Sequence, residues 1–247
     1  MDRPLRLLAR PQGALLASAL ECEAEVFARH FGNTADELEA EYARYDDQLV
    51  FVAVADRDDR VVATGRLTRP GPAGLKTFDD VAQPPWSVDG RRAARLAGVD
   101  PDRTWDVTTI ANRQTGPLRL LAGAALWHGL LQVGRANGTH AMVALLDDRV
   151  REAITRMGMH WEALPGCGSR EYLGSPGTTP VCTDFAAFLD GQRRSNPEAY
   201  RFVSLGEGLT DVELPALEDF VVPALRARVP DEVDVARDAA TALCLAA

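Results

Sequence analysis

Asp106 and Thr108 lie two residues apart in a β-type stretch that runs from Trp105 to Ala111. Alternate side chains of a strand share a face, so Asp106, Thr108 and Ile110 point to one side. A carboxylate beside a hydroxyl at a cleft is suited to general-base chemistry. Two interpretations of Asp106 stay open: a base, or a carboxylate that pairs with an arginine or caps a nearby turn.

Arg66 lies inside an otherwise apolar stretch, where a charge is costly unless it is paired. One interpretation is a salt bridge to Asp46 or Asp47, which follow Tyr45 just before a strand. A second is bidentate binding of a substrate carboxylate by the guanidinium. A third is a solvated arginine on an edge strand. The alternative interpretation of Asp46 and Asp47 is an ordinary polar turn between a helix and a strand. Arg29 ends a helix, where it binds a carboxylate or only complements the dipole.

The turn Asn112–Gly116 leads into a long apolar helical stretch that ends at Asn137-Gly138. The free N–H groups and positive dipole end of a helix start suit a phosphate. Pro117 fits the first helical turn, because it needs no N–H donor there. The turn is therefore a candidate phosphate site, although the same arrangement also occurs in proteins without a ligand there.

Hydrophobic periodicity predicts the elements that must position these residues. Thr34 and Glu37 form a capping-box pattern before the second helix. Helices are expected at 14–31, 34–45, about 91–96, 118–135 and 147–157. Strands are expected at 49–55, 61–68, 105–111, 140–146 and 158–164. A loop with a short extended piece at 171–173 is expected at 165–180, and an acidic helical extension from 205. Strands that alternate with helices after a leading hairpin predict an α/β fold with a mixed sheet.

Composition excludes several classes of protein. The chain has 247 residues and a net charge of −9, which argues against a nucleic-acid binder. It has no apolar run long enough for a membrane span and no signal peptide, so a cytoplasmic protein is expected. The four cysteines show no metal-ligand spacing, so no metal is expected, and we interpret most of them as packing residues.

A set of spaced motifs, rather than one signature, runs through residues 14–190. The motifs are Val26-Phe27-x-Arg29, Glu41-x-x-x-Tyr45-Asp46-Asp47, Ala63-Thr64-Gly65-Arg66-Leu67, Phe78, Asp106-Val107-Thr108-Thr109 and the partial turn Arg113-x-x-Gly116. In this spacing the segment resembles the GNAT acyltransferase superfamily, and its N-terminal half is similar to the acyl-homoserine-lactone (autoinducer) synthases and the N-acyl amino acid synthases.

The resemblance implies a twisted, mainly antiparallel mixed sheet flanked by helices. It also implies transfer of an acyl group from a coenzyme A or acyl-carrier-protein thioester to a small amine or amino acid. The implied catalytic residues are Asp106, Thr108 and Tyr172. The implied substrate-binding residues are Arg29, Asp46, Asp47, Arg66, Phe78, Trp105 and Thr109. The implied cofactor-binding residues are Ile110, Arg113 and Gly116.

Two departures from the pattern set this chain apart from the lactone synthases. Thr109 stands where the family has a strand arginine, and Phe31-Gly32 stands near the position of a missing tryptophan. A lyase or decarboxylase acting on a thioester, or a non-catalytic binding protein, is therefore an alternative. We expect an acyltransferase domain at 1–204 and a C-terminal extension at 205–247. The extension either mediates formation of a homodimer or covers a sheet edge.

Overall fold

The computed structural model describes residues 4–223. Within these residues the strands are β1 (Leu5–Ala9), β2 (Leu49–Asp56), β3 (Val61–Thr68), β4 (Thr104–Asn112), β5 (Ala141–Asp147), β6 (Glu162–Ala163), β7 (Arg170–Tyr172), β8 (Ser175–Asp184) and β9 (Val212–Glu213). The α-helices are α1 (Ala14–Phe31), α2 (Ala35–Tyr42), α3 (Lys76–Val81), α4 (Gly90–Leu96), α5 (Gly116–Ala136), α6 (Asp148–Arg156), α7 (Phe185–Ser195) and α8 (Pro197–Ala199). Among them, no helix has both the length and the apolar character that a membrane crossing requires.

The strands form one sheet in the order β6-β8-β5-β4-β3-β2-β1-β9, with β7 paired to β8. The neighbours β1–β2, β2–β3, β3–β4 and β5–β8 are antiparallel, whereas β4–β5 and β1–β9 are parallel. This arrangement confirms the expected mixed, mainly antiparallel sheet. The one parallel pair near the centre requires a crossover, and α5 provides it.

Helix α5 packs on one face of the sheet, where Leu126 and Leu130 contact Gly65 of β3. The other side of α5 is covered by the π-helix Tyr200–Ser204 and the 3-10 turn Leu217–Phe220. Because α5 is enclosed from both sides, its sequence is apolar almost all round. The opposite face of the sheet carries α1 over β3 and β4, and α3 with α4 over β4 and β5.

Several elements differ from the predicted ones. The β2–β3 hairpin and the capping box of α2 are confirmed, and α2 ends at Tyr42, where a 3-10 helix begins. Strand β1 and helix α3 were not predicted, because each is only five or six residues long. The predicted strand at 158–164 shortens to Glu162–Ala163.

The stretch predicted as a loop at 165–180 contains most of β8. Pro176, Gly177 and Pro180 act against a strand in propensity terms. Pairing to β5 nevertheless holds this segment in the sheet, with Leu145 opposite Pro180 and Asp147 opposite Thr178. Tertiary pairing therefore overrides the local signal.

The described part of the predicted helical extension contains no α-helix. Residues 205–223 form β9, which extends the sheet beside β1, and one 3-10 turn. Residues 224–247 lie outside the described residues, so the domain boundary at 204 stays a prediction.

Candidate active site

The centre of the sheet opens where β4 and β5 separate. Their pairing begins at Thr104 opposite Ala141 and ends at Val107 opposite Ala144. Beyond that point β4 continues beside β3 as far as Asn112, and β5 continues beside β8. The two strands therefore form a V-shaped gap in which β4 has no strand partner on the β5 side within residues 4–223.

A β-bulge in β4 lies at the vertex of the gap. Arg66 pairs with Thr109 and Leu67 pairs with Val107, so Thr108 is an extra residue in β4. The Thr108 hydroxyl donates to the Arg66 carbonyl oxygen at 3.0 Å. A bulge bends its strand and disrupts the ladder locally, which accounts for the separation of β4 from β5.

A pocket fills this gap and extends under α1 and the β7–β8 hairpin. Its apolar and aromatic lining comes from Phe27, Phe31, Tyr42, Val107, Ile110, Leu145, Leu146, Val150, Tyr172 and Leu173. Its polar lining comes from Lys76, Thr77, Asp80, Thr108, Thr109, Asp147, Ser175 and Thr178. A mostly apolar cavity with a few convergent polar groups is typical of a ligand site.

Four polar side chains converge at the α3 side of the pocket. Lys76 Nζ lies 2.7 Å from Glu41 Oε2 and 2.7 Å from Asp80 Oδ2. Tyr172 hydrogen bonds to Asp80, and its ring packs against Trp86 with centroids 5.1 Å apart. Lys76 and Asp80 are one helical turn apart on α3, so this short helix presents both to the pocket.

The environment of this cluster changes its proton affinities. Burial raises the pKa of Asp80, although the Lys76 ammonium and the Tyr172 hydroxyl act in the opposite direction. Burial, together with the nearby Asp80 carboxylate, raises the pKa of Tyr172 and keeps its hydroxyl protonated. Burial acts to lower the pKa of Lys76, but Asp80 and Glu41 outweigh it and raise that pKa, so Lys76 carries its charge.

Asp106 does not lie where the strand alternation placed it. Its side chain is 0% exposed and outside the pocket lining, because the bulge follows it and changes the alternation at Thr108. The Thr77 N–H donates to Asp106 Oδ2 at 2.6 Å, and the Thr77 hydroxyl donates to Oδ1 at 2.8 Å. The prediction that Asp106 shares the cleft with Thr108 is therefore corrected: Asp106 anchors the first turn of α3.

Arg66 pairs with Glu23 of α1 rather than with Asp46 or Asp47. Its Nε donates to Glu23 Oε1 at 3.2 Å, its terminal nitrogen contacts Oε2, and Thr109 also donates to Glu23. The Tyr42 ring covers the guanidinium at 3.9 Å. Arg66 and Glu23 are 4% and 1% exposed, so they form a neutral, buried pair directly behind the pocket wall.

The other predicted substrate-binding residues lie elsewhere. Arg29, Asp46 and Asp47 are exposed and outside the pocket lining. Phe78 packs in the core between α3 and β5, and Trp105 packs in the core on the α5 side. These two predictions are corrected to packing roles, because buried aromatic side chains supply apolar area to a core.

Of the predicted cofactor-binding residues, Ile110 lines the pocket. Arg113 instead turns toward α1, where its Nη1 lies 2.9 Å from Glu25 Oε2 and 3.8 Å from Glu21 Oε2. Gly116 begins α5 with φ +60°, and the open space around it leaves the first turn of α5 accessible. The helix start is therefore available to a phosphate, while the charge of Arg113 is already balanced.

No protein-family model matches this chain, and no curated protein matches it in sequence. Solved structures do match it. The CoA-dependent acyl-homoserine lactone synthase BjaI, solved with MTA, aligns with a TM-score of 0.54 and 17% identity over 88% of this chain and 97% of that one.

Two further structures show the same similarity. FeeM, an N-acyl amino acid synthase from uncultured soil microbes, has a TM-score of 0.56 and 12% identity over 76% of this chain and 94% of its own. The AHL synthase LasI has a TM-score of 0.56 and 13% identity over 79% of this chain and 96% of its own. The chain has a GNAT-like fold. At these identities the similarity concerns the fold alone.

Sequence reasoning did not select Glu23, Lys76 or Asp80 for the site. The spacing of Lys76 and Asp80 on either side of Phe78 fits two positions one helical turn apart, which is the available signal for the pair. No such signal exists for Glu23, because its partners Arg66 and Thr109 are 43 and 86 residues away.

Proposed function

We propose that this protein is an N-acyltransferase that moves an acyl group from a thioester to the nitrogen of a small amine or amino acid. The observation that carries the proposal is the gap between β4 and β5, which opens into a mostly apolar pocket. A thioester arm can lie between the parted strands, with its carbonyl beside unpaired backbone of β4. Backbone N–H groups at such a place are suited to stabilising an oxyanion. The acyl synthases of the same fold support this reading.

The donor side of the site begins at the first turn of α5. Gly116 leaves that turn open, and no acidic residue lies in it. The exposed N–H groups there suit the phosphate that both coenzyme A and the phosphopantetheine of a carrier protein possess. The donor is therefore an acyl-coenzyme A or an acyl carrier protein, and Ile110 contacts the pantetheine end.

Asp80 and Tyr172 are the proton-transfer groups in this proposal, in place of Asp106. The neutral amine nitrogen attacks the thioester carbonyl carbon, the new C–N bond forms, and the C–S bond breaks. Asp80 accepts the amine proton, Tyr172 gives its proton to the departing thiolate, and Tyr172 regains a proton from Asp80. The products are an amide and a free thiol. Asp106 is a positioning residue, because it holds the helix that carries Lys76 and Asp80.

The test combines thiol release with mass spectrometry of the amide product, using the full chain, acyl-coenzyme A or acyl carrier protein donors, and a panel of amines. Asp80→Asn is expected to lower kcat by about 10²- to 10⁴-fold, the usual contribution of a positioned acid or base. The acidic limb of the pH profile is also expected to disappear, because Asp80 must be deprotonated to accept the proton.

Asp79→Asn is the matched control, because Asp79 bonds to Tyr45 and lies outside the pocket lining. Its turnover is expected to match that of the wild type. Turnover of Asp80→Asn within twofold of the wild type contradicts the role of Asp80. Absence of thiol release and of amide with every donor and amine contradicts the proposed function.

A further inference from the structure

The positive charge of Arg66 is neutralised inside the protein by the carboxylate of Glu23. Glu23 contacts it through both carboxylate oxygens, and Thr109 and Tyr42 enclose the pair from the pocket side. Thr109 and Tyr42 themselves line the pocket, so Arg66 lies only one side chain behind the wall. A substrate carboxylate that reached this wall would meet a neutral pair instead of a free guanidinium.

The charged side chains that do line the pocket have an acidic balance. Among the residues that the structure describes they are Lys76, Asp80 and Asp147, and the described lining contains no arginine. The Lys76 ammonium already binds both Asp80 and Glu41, and Asp147 pairs with the exposed Arg149. The Lys76–Asp80–Glu41 cluster therefore contains one basic and two acidic side chains. A carboxylate approaching Lys76 would also approach these two acidic side chains.

Two aromatic rings, those of Tyr42 and Tyr172, lie beside the same cluster, and two more line the pocket. Tyr42, Tyr172, Phe27 and Phe31 line the pocket, and the Tyr42 ring already lies 5.6 Å from the Lys76 ammonium. Aromatic faces attract cations through their quadrupole, more strongly where water is excluded. The acidic side chains and the aromatic faces thus both favour a cationic ligand.

We propose that the acceptor is a cationic amine without a carboxylate, such as a short diamine, and that Glu23 determines this specificity by neutralising Arg66. One amino group, unprotonated, attacks the thioester beside Asp80, while the second remains an ammonium on the Glu41 side of the cluster. This inference rests on the proposed acyl transfer, and it selects the amine class over the amino acid class.

Three acceptors of matched length test the inference on the full chain: butane-1,4-diamine, butylamine and 4-aminobutyrate. They differ only in a distal ammonium, methyl or carboxylate group. We expect kcat/KM, measured by thiol release, to fall in that order, with about a tenfold difference between the diamine and the amino acid. The advantage of the diamine should decrease as salt concentration rises, since screening weakens exposed charge interactions.

Glu41→Gln removes one acidic charge at a side chain that is 41% exposed and so tolerates the change. This variant is expected to reduce the ratio of kcat/KM for the diamine to kcat/KM for butylamine by about threefold. Glu39→Gln, at an exposed position on the same helix but outside the Lys76–Asp80–Glu41 cluster, is expected to leave the ratio unchanged.

Glu23→Gln frees the charge of Arg66 and is expected to raise the use of 4-aminobutyrate relative to the diamine. Glu23→Gln combined with Arg66→Met removes both charges, avoids a buried unpaired arginine, and is expected to keep the wild-type order. Thermal unfolding checks that each variant folds. A folded Glu23→Gln variant that keeps the wild-type preference contradicts the role of Glu23, and the wild-type acceptor series decides the acceptor class independently of both variants.

The outcomes separate the two proposals. Thiol release with 4-aminobutyrate equal to or faster than with the diamine overturns this inference and leaves the acyltransferase intact. A diamine preference that Glu41→Gln does not reduce overturns the charge argument. No amine-dependent thiol release with any of the three acceptors, or with a wider amine panel, overturns both.

Discussion

Two aspartates 26 residues apart show how environment assigns different roles to one residue type. Asp106 and Asp80 both have pKa values raised by burial. Asp106 is enclosed and bound by two donors of Thr77, whereas Asp80 faces the pocket beside Lys76 and Tyr172. Accessibility to substrate, more than proton affinity, therefore separates the candidate base from the positioning residue.

Asp106 is expected to make stability depend on pH. Burial raises its pKa to about 7, against the donors of Thr77. The folded state thus binds this proton more tightly than the unfolded chain, whose aspartate pKa is about 3.9. The stabilisation from this group is complete below that value and is lost as pH rises through 7.

Asp106→Asn, which is neutral at every pH, should show a smaller decline in the free energy of unfolding between pH 5 and 8. The difference from the wild type is on the order of 2 kcal/mol. Urea unfolding at several pH values measures it, with the exposed Asp58→Asn as a control that follows the wild type. Parallel pH curves for Asp106→Asn and the wild type would contradict the assigned pKa.

Two elements, the β4 bulge and the β7–β8 hairpin, together create the site. The bulge at Thr108 parts β4 from β5, and the hairpin places Tyr172 over the opening. The hairpin turn rests on the end of α1, where Gly174 meets the backbone carbonyl of Phe31. The position of Tyr172 therefore depends on a close backbone approach that glycine allows.

Gly174→Ala is expected to disturb this approach. Its Cβ would clash with the Phe31 carbonyl oxygen, and its φ of +80° disfavours a side chain. The hairpin must shift, which should lower kcat through Tyr172 and also lower the melting temperature. Thiol release and thermal unfolding measure the two effects.

Gly98→Ala is the matched control, because Gly98 has φ +78° and an added Cβ there would meet no atom of the described residues within 4 Å. It should lose about 1 kcal/mol of stability from backbone strain and keep its turnover. Wild-type turnover in Gly174→Ala would show that the hairpin does not position Tyr172.

On the scale of the whole molecule, the C-terminal part of the described chain returns to close the fold. Strand β9 pairs with β1, and Phe220 is 1% exposed against the core around α5. Asn137, at the end of α5, donates to the Phe220 carbonyl at 2.9 Å and accepts from the Val222 N–H at 2.8 Å. These contacts keep both sides of α5 covered.

Phe220→Ala should therefore lower the free energy of unfolding by about 3–5 kcal/mol, the usual cost of a cavity left by a buried aromatic side chain. Leu217→Ala, at a position 49% exposed in the same turn, should cost no more than about 0.5 kcal/mol. Chemical unfolding with one probe for both variants makes the comparison. Equal losses for the two would mean that the segment does not contribute to the core.

Local patterns in the sequence were sufficient for much of the fold. The β2–β3 hairpin, the capping box at Thr34 and Glu37, and the long helix after β4 follow from periodicity and capping, which act within a few residues. Strand β8 did not follow, because its prolines and glycine oppose a strand and only pairing with β5 stabilises it.

The same division applies to the candidate site. Thr108, Thr109, Ile110 and Tyr172 were selected from the sequence and line the pocket. The buried partner of Arg66 could not be predicted from the sequence, because it depends on a contact between α1 and β3. The orientation of Asp106 could not be predicted either, because it depends on the bulge in β4.

The sequence by itself determined the β2–β3 hairpin, the long helix, the mixed sheet and the strand segment that borders the pocket, because hydrophobic period and turn chemistry are local. Only the tertiary structure decided which charges are cancelled and which face the pocket. Charge pairing and burial depend on residues brought together from distant parts of the chain, and it is these that give Glu23, Asp80 and Asp106 their different roles.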